Sequence, residues 1–397
     1  MNTYPINPFQ FAPMPHLHFG WGIRYQLSEH LQQSFSGILI LIASPSLMKT
    51  GRFGEQLQQT LTGSFDLKVF TVSGEPSPDL IDDIVSQCPK DAQAVLGLGG
   101  GSVLDAAKAI AGLLPSQTSV MDYLEGVGAG KQLQGPTCPF IAIPTTAGTG
   151  SETTKNSVLS RIGFFKKSFR SNLLLAQSAW LDPQLLETCP QEVLYATGMD
   201  AFTQLLESYT TLKPNPLTDA LAWQGMQMFI GSFEAIKSQD SQIRQQGYCN
   251  LMLAATLSGT TLANAGLGAV HGLAGPIGAF FEAPHGIVCA RLLAPITQAN
   301  IDSLQQSGSI QAEQTLNKYR MVSRLLNPEA REEDLLESLI ERLKHYARDY
   351  TPQGLSAYGL TSDNLQPVLD NCRSGSMLGN PLVLEDEQLL DAIQQAL

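Results

Sequence analysis

The stretch Ala94-Val95-Leu96-Gly97-Leu98-Gly99-Gly100-Gly101-Ser102 joins an apolar run to a glycine-rich turn. Residues 103–111 then have the composition of a helix, so the segment predicts a strand, a tight turn and a helix start. Such a turn lets backbone N–H groups approach an oxyanion, and the helix dipole adds positive potential. Because Ser102 leaves the usual dinucleotide fingerprint incomplete, two interpretations stay open: a pyrophosphate site or a merely tight β–α turn.

A second loop of similar character follows the apolar run at residues 140–143. It reads Pro144-Thr145-Thr146-Ala147-Gly148-Thr149-Gly150-Ser151-Glu152 and is rich in hydroxyls and glycines. Loops after parallel strands lie at the carboxyl edge of the sheet, where open α/β folds bind their ligands. The hydroxyls suit the polar oxygens of a nucleotide. The alternative is a Ser/Thr-rich turn that caps the next helix, which would explain part of the loop.

The remainder of the chain divides into two patterns. Up to about residue 185, strand-like runs alternate with helical patterns, which predicts a parallel sheet. From about Pro190 onward, apolar residues recur every three or four positions, which predicts helices. We therefore expect an α/β N-terminal domain with a Rossmann-like parallel sheet over residues 1–185 and an all-α C-terminal domain over residues 186–397. The runs that carry these expectations are 37–42, 67–72, 94–98 and 140–143 for strands, and 193–209, 218–236, 245–261 and 384–397 for helices.

Composition and charge narrow the class of protein. With 397 residues the chain exceeds one ordinary hydrophobic core, so a ligand cleft between two domains is expected. A net charge of −12 without a Lys/Arg block argues against nucleic acid as partner. No apolar run is long enough for a bilayer and no secretory pattern opens the sequence, so we expect no membrane association and a cytoplasmic location. The six scattered cysteines fit reduced thiols in that compartment.

Four residues form a candidate metal site. In a helical pattern Asp200 and Gln204 lie one turn apart, so they can present two oxygens to one cation. Farther on, His271 and His285 lie within one Gly-rich stretch. Two imidazoles and a carboxylate suit Fe(II) or Zn(II). The alternative is that both histidines are core residues bonded to backbone and that Asp200 is an ordinary helix carboxylate.

Taken together, these blocks resemble the iron-containing, metal-dependent alcohol dehydrogenase family over nearly the whole chain. The resemblance implies a dehydroquinate synthase-like architecture, in which metal and nicotinamide meet in the cleft between an α/β and a helical domain. It also implies a homodimer. The segments that carry it are Gly99 to Ser102 with Asp105 and Lys108, Pro144 to Glu152, Asp182-Pro183, Gly198-Met199-Asp200-Ala201, Val270 to Gly286 and Asn380-Pro381.

The resemblance assigns a role to each matching position. Those assigned to the nucleotide are Gly99, Gly100, Gly101, Ser102, Thr145, Thr146, Thr149, Thr154, Asn156 and Lys166. Metal ligands in the family are an aspartate, a histidine one helical turn later and two further histidines. Asp200, His271 and His285 match and would act in catalysis through the metal. Gln204 stands in the place of the second ligand, and its amide oxygen binds a transition metal more weakly than imidazole.

Two further positions depart from the family pattern. Gly275 stands where many members have a histidine that assists proton relay, so we name no general base and expect protons to travel through water or ribose hydroxyls. After the strand at residues 37–42, Ser44 stands where NAD-preferring members carry an aspartate. An acidic side chain would repel a 2′-phosphate, whereas a serine can donate to it, so NADP(H) is favoured over NAD(H).

The predicted activity is hydride transfer between NAD(P)(H) and a primary alcohol or aldehyde, with a divalent metal, Fe²⁺ or Zn²⁺, polarising the substrate oxygen. Three alternatives remain. The first is a metal-independent reductase of the same fold, of the maleylacetate reductase kind. The second is a lyase related to dehydroquinate synthase, and the third is a degenerate protein that binds the dinucleotide without turning it over.

Overall fold

A parallel sheet forms the centre of the N-terminal half in the computed structural model, which describes residues 8–397. Six strands of this part form one sheet in the order β1-β8-β5-β4-β2-β3, and each pairing is parallel. β6 and β7 form a separate antiparallel hairpin. The predicted parallel sheet is confirmed. The strands are β1 (His16–Phe19), β2 (Ile38–Ala43), β3 (Asp66–Thr71), β4 (Ala94–Gly99), β5 (Phe140–Pro144), β6 (Asn156–Arg161), β7 (Phe165–Arg170) and β8 (Ser178–Leu181).

Helices flank this sheet and make up most of the chain after it. Within residues 8–397, no helix combines the length and the apolarity that crossing a membrane requires. The helices are α1 (Leu27–Ser34), α2 (Phe53–Thr62), α3 (Pro78–Gln87), α4 (Gly101–Leu113), α5 (Gln191–Thr210), α6 (Pro216–Phe229), α7 (Ser232–Ile236), α8 (Ser241–Ala265), α9 (Ala269–Phe281), α10 (His285–Ser307), α11 (Ile310–Leu326), α12 (Leu335–Tyr350), α13 (Gln366–Cys372) and α14 (Asp386–Ala396).

Both faces of the sheet are covered. Along β2, Leu39 and Leu41 pack into the apolar cluster that contains Leu57 of α2, because successive side chains of a strand point to opposite faces. Ile40 and Ile42 pack into the larger cluster on the other face, which α3 and α4 cover. Burial on both sides explains why the central strands are apolar throughout and were recognisable as continuous runs.

Some elements differ from the sequence-based expectation. The four predicted strands are present within a residue of their expected ends. β1, β8 and the β6–β7 hairpin were not predicted, because they are short or carry polar side chains. The helix expected over residues 218–236 is two helices, α6 and α7, since Ile230 leaves the first in an extended conformation. Residues 1–7 of the expected first domain lie outside the described residues.

Asp182 ties the end of β8 to the segment that follows β1. The carboxylate is fully buried, and Oδ1 accepts hydrogen bonds from the backbone N–H groups of Gly22 (2.9 Å) and Gln184 (3.0 Å). Oδ2 accepts one from Nη1 of Arg24 at 2.6 Å, which forms a buried ion pair. Asp182 therefore stabilises the sheet edge, and removing one partner of such a pair typically costs about 3–5 kcal/mol.

Candidate active site

The glycine turn connects β4 directly to α4. β4 ends at Gly99 and α4 begins at Gly101, as the sequence predicted. The carbonyl of Gly100 accepts the first intrahelical bonds, from Val103 and Leu104, at 3.0 and 3.1 Å. Gly101 and Ser102 come before these first donors, so their N–H groups have no partner within the helix. Together with the helix dipole they can bind an anion.

The threonine loop, residues 145–150, packs against the glycine turn. The N–H of Thr145 donates to the carbonyl of Gly99 at 3.0 Å. A Cβ on Gly101 would lie 2.8 Å from the side chain of Thr149, so only glycine allows this approach. A Cβ on Gly100 would lie 3.2 Å from Thr146. The two loops that the sequence singled out therefore form one surface at the carboxyl edge of the sheet.

Lys108 holds the segment that follows the threonine loop. Its Nζ, fully buried, lies within hydrogen-bond distance of Ser151 Oγ (3.0 Å), Thr154 Oγ1 (2.9 Å) and the carbonyl of Asn156 (2.7 Å). Burial lowers the pKa of Lys108, and the carboxylate of Asp105, 3.6 Å away, opposes that shift. Lys108 thus positions residues predicted to contact the nucleotide, without a cleft position of its own.

Asp200, His271 and His285 converge on one point from three helices. Asp200 lies in the middle of α5, His271 near the start of α9, and His285 is the first residue of α10. Nε2 of His271 lies 3.1 Å from Oδ1 of Asp200, and Nε2 of His285 lies 3.8 Å from the same atom. Cys289 completes the group, since one ligand atom from each of the four residues lies within 4.8 Å of the others. The atoms surround a space of the size that one cation fills.

Two of the three ligands are ready for a cation at neutral pH. Burial disfavours ionisation of Asp200, but the neighbouring His285 and His271 lower its pKa to about 2. Burial lowers the pKa of His285 to about 4, although Asp200 opposes that shift. Burial also opposes protonation of His271, but Cys289, Glu207 and Asp200 raise its pKa well above the ordinary value, so a metal would displace a proton from this ring. A carboxylate and two imidazoles fit a divalent transition metal.

Glu207 supports the cluster from behind. Its Oε2 lies 2.6 Å from Nδ1 of His271, and its Oε1 accepts a hydrogen bond from the N–H of Val270 at 2.7 Å. With Nδ1 engaged, Nε2 of His271 faces Asp200. Metal-binding histidines commonly have such a carboxylate on their second nitrogen.

Gln204 lies beside the cluster with its amide already engaged. Nε2 donates to Oδ1 of Asp200 at 3.2 Å, and Oε1 lies 3.2 Å from the hydroxyl oxygen of Ser258. The side chain is buried, at 2 % exposure. In this arrangement the NH₂ group, and not the carbonyl oxygen, points toward Asp200.

Packing between helices sets the separation of these side chains. A Cβ on Gly286 would lie 2.2 Å from the carbonyl oxygen of Ala196 in α5, so glycine allows α10 to contact α5 closely beside Asp200. At the start of α9, Oδ1 of Asn380 accepts a hydrogen bond from the N–H of Ala269 at 3.1 Å. Asn380 therefore secures the helix that carries His271.

One cleft of about 600 Å³ connects the glycine turn and the threonine loop with His271 and His285 of the metal cluster. Asn156 lies in its wall, and the Oδ1 atom of this residue is buried without a hydrogen-bond partner among residues 8–397. Lys166 of β7 also lines the cleft, and its Nζ pairs with Glu75 at 2.9 Å. The same Nζ lies close to α9, since a Cβ built on Gly278 would be 3.7 Å from it. The predicted residues that line the cleft are Gly101, Ser102, Thr149, Thr154, Asn156, Lys166, Gln204, His271, Gly275 and His285.

The other predicted nucleotide residues lie just behind that wall. Gly99, Gly100, Thr145 and Thr146 form the base of the turn and the loop. Ser44 follows β2 and lies beside the turn, because its Oγ is 2.7 Å from the position of a Cβ on Gly99. The structure therefore places the glycine turn, the threonine loop and Ser44 together at the carboxyl edge of the sheet, and Thr154, Asn156 and Lys166 line the same cleft from the region of the β6–β7 hairpin.

Comparison with known proteins identifies the family. The family described as iron-containing alcohol dehydrogenase matches residues 15–183, and its C-terminal part matches residues 194–397. This chain belongs to the iron-containing alcohol dehydrogenases. Membership confirms the predicted class, a metal-dependent oxidoreductase of alcohols and aldehydes that uses a divalent metal and a nicotinamide dinucleotide.

Individual relatives agree with this assignment. Long-chain-alcohol dehydrogenase 1 of Geobacillus thermodenitrificans is 31% identical over 90% of this chain and 88% of its own. Lactaldehyde reductase of Escherichia coli K12 is 30% identical over 74% and 75%. The structure of the alcohol dehydrogenase from Oenococcus oeni superposes with a TM-score of 0.84, at 25% identity, over 98% of this chain and 100% of that one. The expected dehydroquinate synthase-like architecture is confirmed.

Two residues of this iron-containing alcohol dehydrogenase escaped the sequence analysis. Glu207 lies seven positions after Asp200, two turns along the same helix face, so its spacing could have identified it. Cys289 follows His285 by four positions and shares its face on α10. A cysteine without a neighbouring cysteine or histidine motif does not by itself indicate a metal site, and only the approach of α10 to α5 and α9 brings it there.

Proposed function

We propose that the cleft binds a nicotinamide dinucleotide along the glycine turn and reduces an aldehyde, or oxidises a primary alcohol, beside Asp200, His271 and His285. One observation carries the proposal. The three side chains lie together, and His271 and His285 line the same cleft as Gly101 and Ser102. A metal-independent reductase or a degenerate nucleotide-binding protein has no need of this convergence. A lyase would show no net NAD(P)H turnover with aldehydes.

The sheet side of the cleft would hold the cofactor. N–H groups of the glycine turn at the start of α4 donate to the pyrophosphate, with the Ser102 hydroxyl as an additional donor. Hydroxyls of Thr149 and Thr154, the carboxamide of Asn156 and the ammonium group of Lys166 suit the riboses. When bound, the nicotinamide accepts or supplies the hydride at C4.

The helical side would hold the metal. Asp200, His271 and His285 would be its ligands, and Gln204 stands at the position of the further ligand in the family pattern. A divalent cation held there would polarise the substrate oxygen as a Lewis acid. Asp200 and His285 keep their ligand atoms free at neutral pH, and Glu207 keeps Nε2 of His271 pointed at the same place.

We propose that NADP(H) is preferred. Ser44 lies at the carboxyl end of β2 beside Gly99, where an adenosine ribose would meet the edge of the sheet. Its neutral hydroxyl can donate to a 2′-phosphate, whereas an acidic side chain would repel it.

Gly275 contributes no titratable group, and a Cβ there would meet nothing within 4 Å, so protons reach the substrate through water or ribose hydroxyls.

We also propose the division at residues 185/186, a homodimer and a cytoplasmic location. The division falls in the segment between the end of β8 and the start of α5. β1 is an edge strand with Leu17 41% and Phe19 39% exposed, and a second copy pairing there would cover them. Light scattering of the purified protein tests the dimer.

Six free cysteines in the described chain are consistent with a reducing compartment.

The decisive experiment measures reduction of an aldehyde panel by NADPH and by NADH with Fe²⁺, Zn²⁺ or a chelator present. We expect turnover that a chelator abolishes and added metal restores, faster with NADPH. Asp200→Asn should remove metal-dependent turnover, while Glu192→Gln on the exposed first turn of the same helix should leave it unchanged. Absence of turnover with both cofactors under all three conditions would refute the proposal.

A further inference from the structure

Cys289 points its thiol into the metal cluster. The residue is fully buried in α10, one turn after His285. Its Sγ lies 3.6 Å from Nε2 of His271 and 3.7 Å from Nε2 of His285. Both are the nitrogens that face Asp200, so sulfur, the two nitrogens and the carboxylate oxygen surround the same space.

The separations match those of a four-coordinate metal site. Around Zn²⁺, bond lengths of about 2.0–2.3 Å in a tetrahedron separate neighbouring ligand atoms by about 3.3–3.7 Å. The separations between the ligand atoms of Asp200, His271, His285 and Cys289 include 3.1, 3.6, 3.7 and 3.8 Å, and none exceeds 4.8 Å. Small side-chain adjustments would bring all four atoms to bonding distance of one ion.

Gln204 is the weaker candidate for the fourth position. Its NH₂ group faces Asp200 and its oxygen is turned to Ser258, so the amide oxygen points away from the cluster. A carboxamide oxygen is also a poorer ligand for a transition metal than a thiolate, and thiolates select zinc among the available divalent ions.

We propose that the Cys289 thiolate, and not Gln204, is the fourth protein ligand of the metal. The inference rests on the proposed function, since it assigns a ligand to the same metal. On binding, the S–H bond breaks, its proton passes to solvent and an S–metal bond forms, with no change in oxidation state. The sulfur takes the place that an imidazole has in the family pattern.

Cobalt substitution tests the ligand directly. A thiolate bound to Co²⁺ gives an intense sulfur-to-metal charge-transfer band in the near ultraviolet, which nitrogen and oxygen ligands do not give. We expect one equivalent of Co²⁺ to produce this band in the wild-type full-length chain and in Cys138→Ser. Cys138 is the matched control, since it is a buried thiol just before β5. It therefore lies at the amino ends of the strands, at the other end of the sheet from the glycine turn.

In Cys289→Ser the band should disappear, and zinc affinity measured by chelator competition should fall at least about tenfold. Gln204→Ala should keep the band. The double variant Gln204→His with Cys289→Ser restores an aspartate and three histidines, so it should recover most of the affinity without the band. If Cys289→Ser fails to fold, X-ray absorption of the wild-type zinc protein should still show one sulfur among the ligands.

Aldehyde reduction by NADPH and NADH is measured on the same wild-type samples. Stoichiometric Co²⁺ binding without the band, together with turnover, would overturn the Cys289 assignment and leave the proposed function standing. Failure of Co²⁺ and Zn²⁺ to bind, together with absence of turnover, would overturn both. A band that survives Cys289→Ser would also overturn the assignment, because the sulfur would then come from elsewhere.

Discussion

Oε2 of Glu207 lies 2.6 Å from Nδ1 of His271, so α5 contributes both a metal-facing carboxylate, Asp200, and the carboxylate that orients a histidine opposite it. The same Glu207 binds the N–H of Val270 and thereby holds the start of α9. A single helix thus sets both the position and the rotation of the His271 ring, because its two carboxylates lie two turns apart on one face.

Glu207→Gln should weaken metal binding about 10–100-fold, the usual effect of removing a partner of a ligating histidine. The amide keeps the volume but loses the charge that favours the Nδ1–H form of His271. Titration against a competing chelator measures the effect, and Glu192→Gln on the same helix is the control. Equal zinc affinity in the two variants would show that Glu207 does not orient the ligand.

Gly286→Ala should destabilise the protein by about 1–3 kcal/mol, because its Cβ would lie 2.2 Å from the carbonyl oxygen of Ala196 and would separate α10 from α5. Gly275→Ala is the matched comparison. Apart from its chain neighbours, a Cβ there meets nothing within 4 Å, but the ring of Pro276 disfavours a side chain on the helical residue before it, so we expect a smaller loss than at Gly286. Urea unfolding of the metal-free proteins measures both, and destabilisation of similar size in the two variants would contradict the packing argument.

Lys108→Met should reduce stability by about 3–5 kcal/mol, because it leaves the buried carboxylate of Asp105 without its cation. The substitution also removes the contacts of Lys108 with Ser151 and Thr154 beside the predicted nucleotide site. We therefore expect the KM for the nicotinamide cofactor to rise more than the KM for the aldehyde. Lys90→Met, at an exposed lysine, is the control. Unchanged cofactor KM in a folded Lys108→Met protein would show that the segment at Ser151 and Thr154 keeps its shape without the lysine.

Ser44→Asp should shift the cofactor preference toward NADH by at least about tenfold in the ratio of kcat/KM values, since a carboxylate repels a 2′-phosphate and can bind a ribose hydroxyl. Steady-state kinetics with both cofactors and one aldehyde measures the ratio. Ser46→Asp adds the same charge at an exposed position two residues on and should leave the ratio close to that of the wild type. Equal shifts in both variants would mean that the charge acts at a distance and that Ser44 does not contact the ribose.

Some of these features were predictable from local sequence. β2, β4 and β5 are continuous apolar runs because both faces of a parallel sheet are buried, so their composition alone indicated them. The glycine turn at Gly99 was recognisable because an apolar run leads into consecutive glycines and a segment of helical composition follows. β1 and β8 were missed because four residues are too few to establish a period, and β1 alternates two histidines with apolar residues.

The sequence alone indicated the parallel sheet, the glycine turn and the helical second half, because each depends on a pattern along one segment. The family resemblance marked Asp200, His271 and His285 as candidate ligands, although they lie on three different helices. Only the tertiary structure decided that Glu207 supports His271 and that Cys289 joins the cluster. These contacts depend on the distances between α5, α9 and α10, which side-chain packing and the close approach at Gly286 set. No periodicity within a single helix encodes the separation between helices.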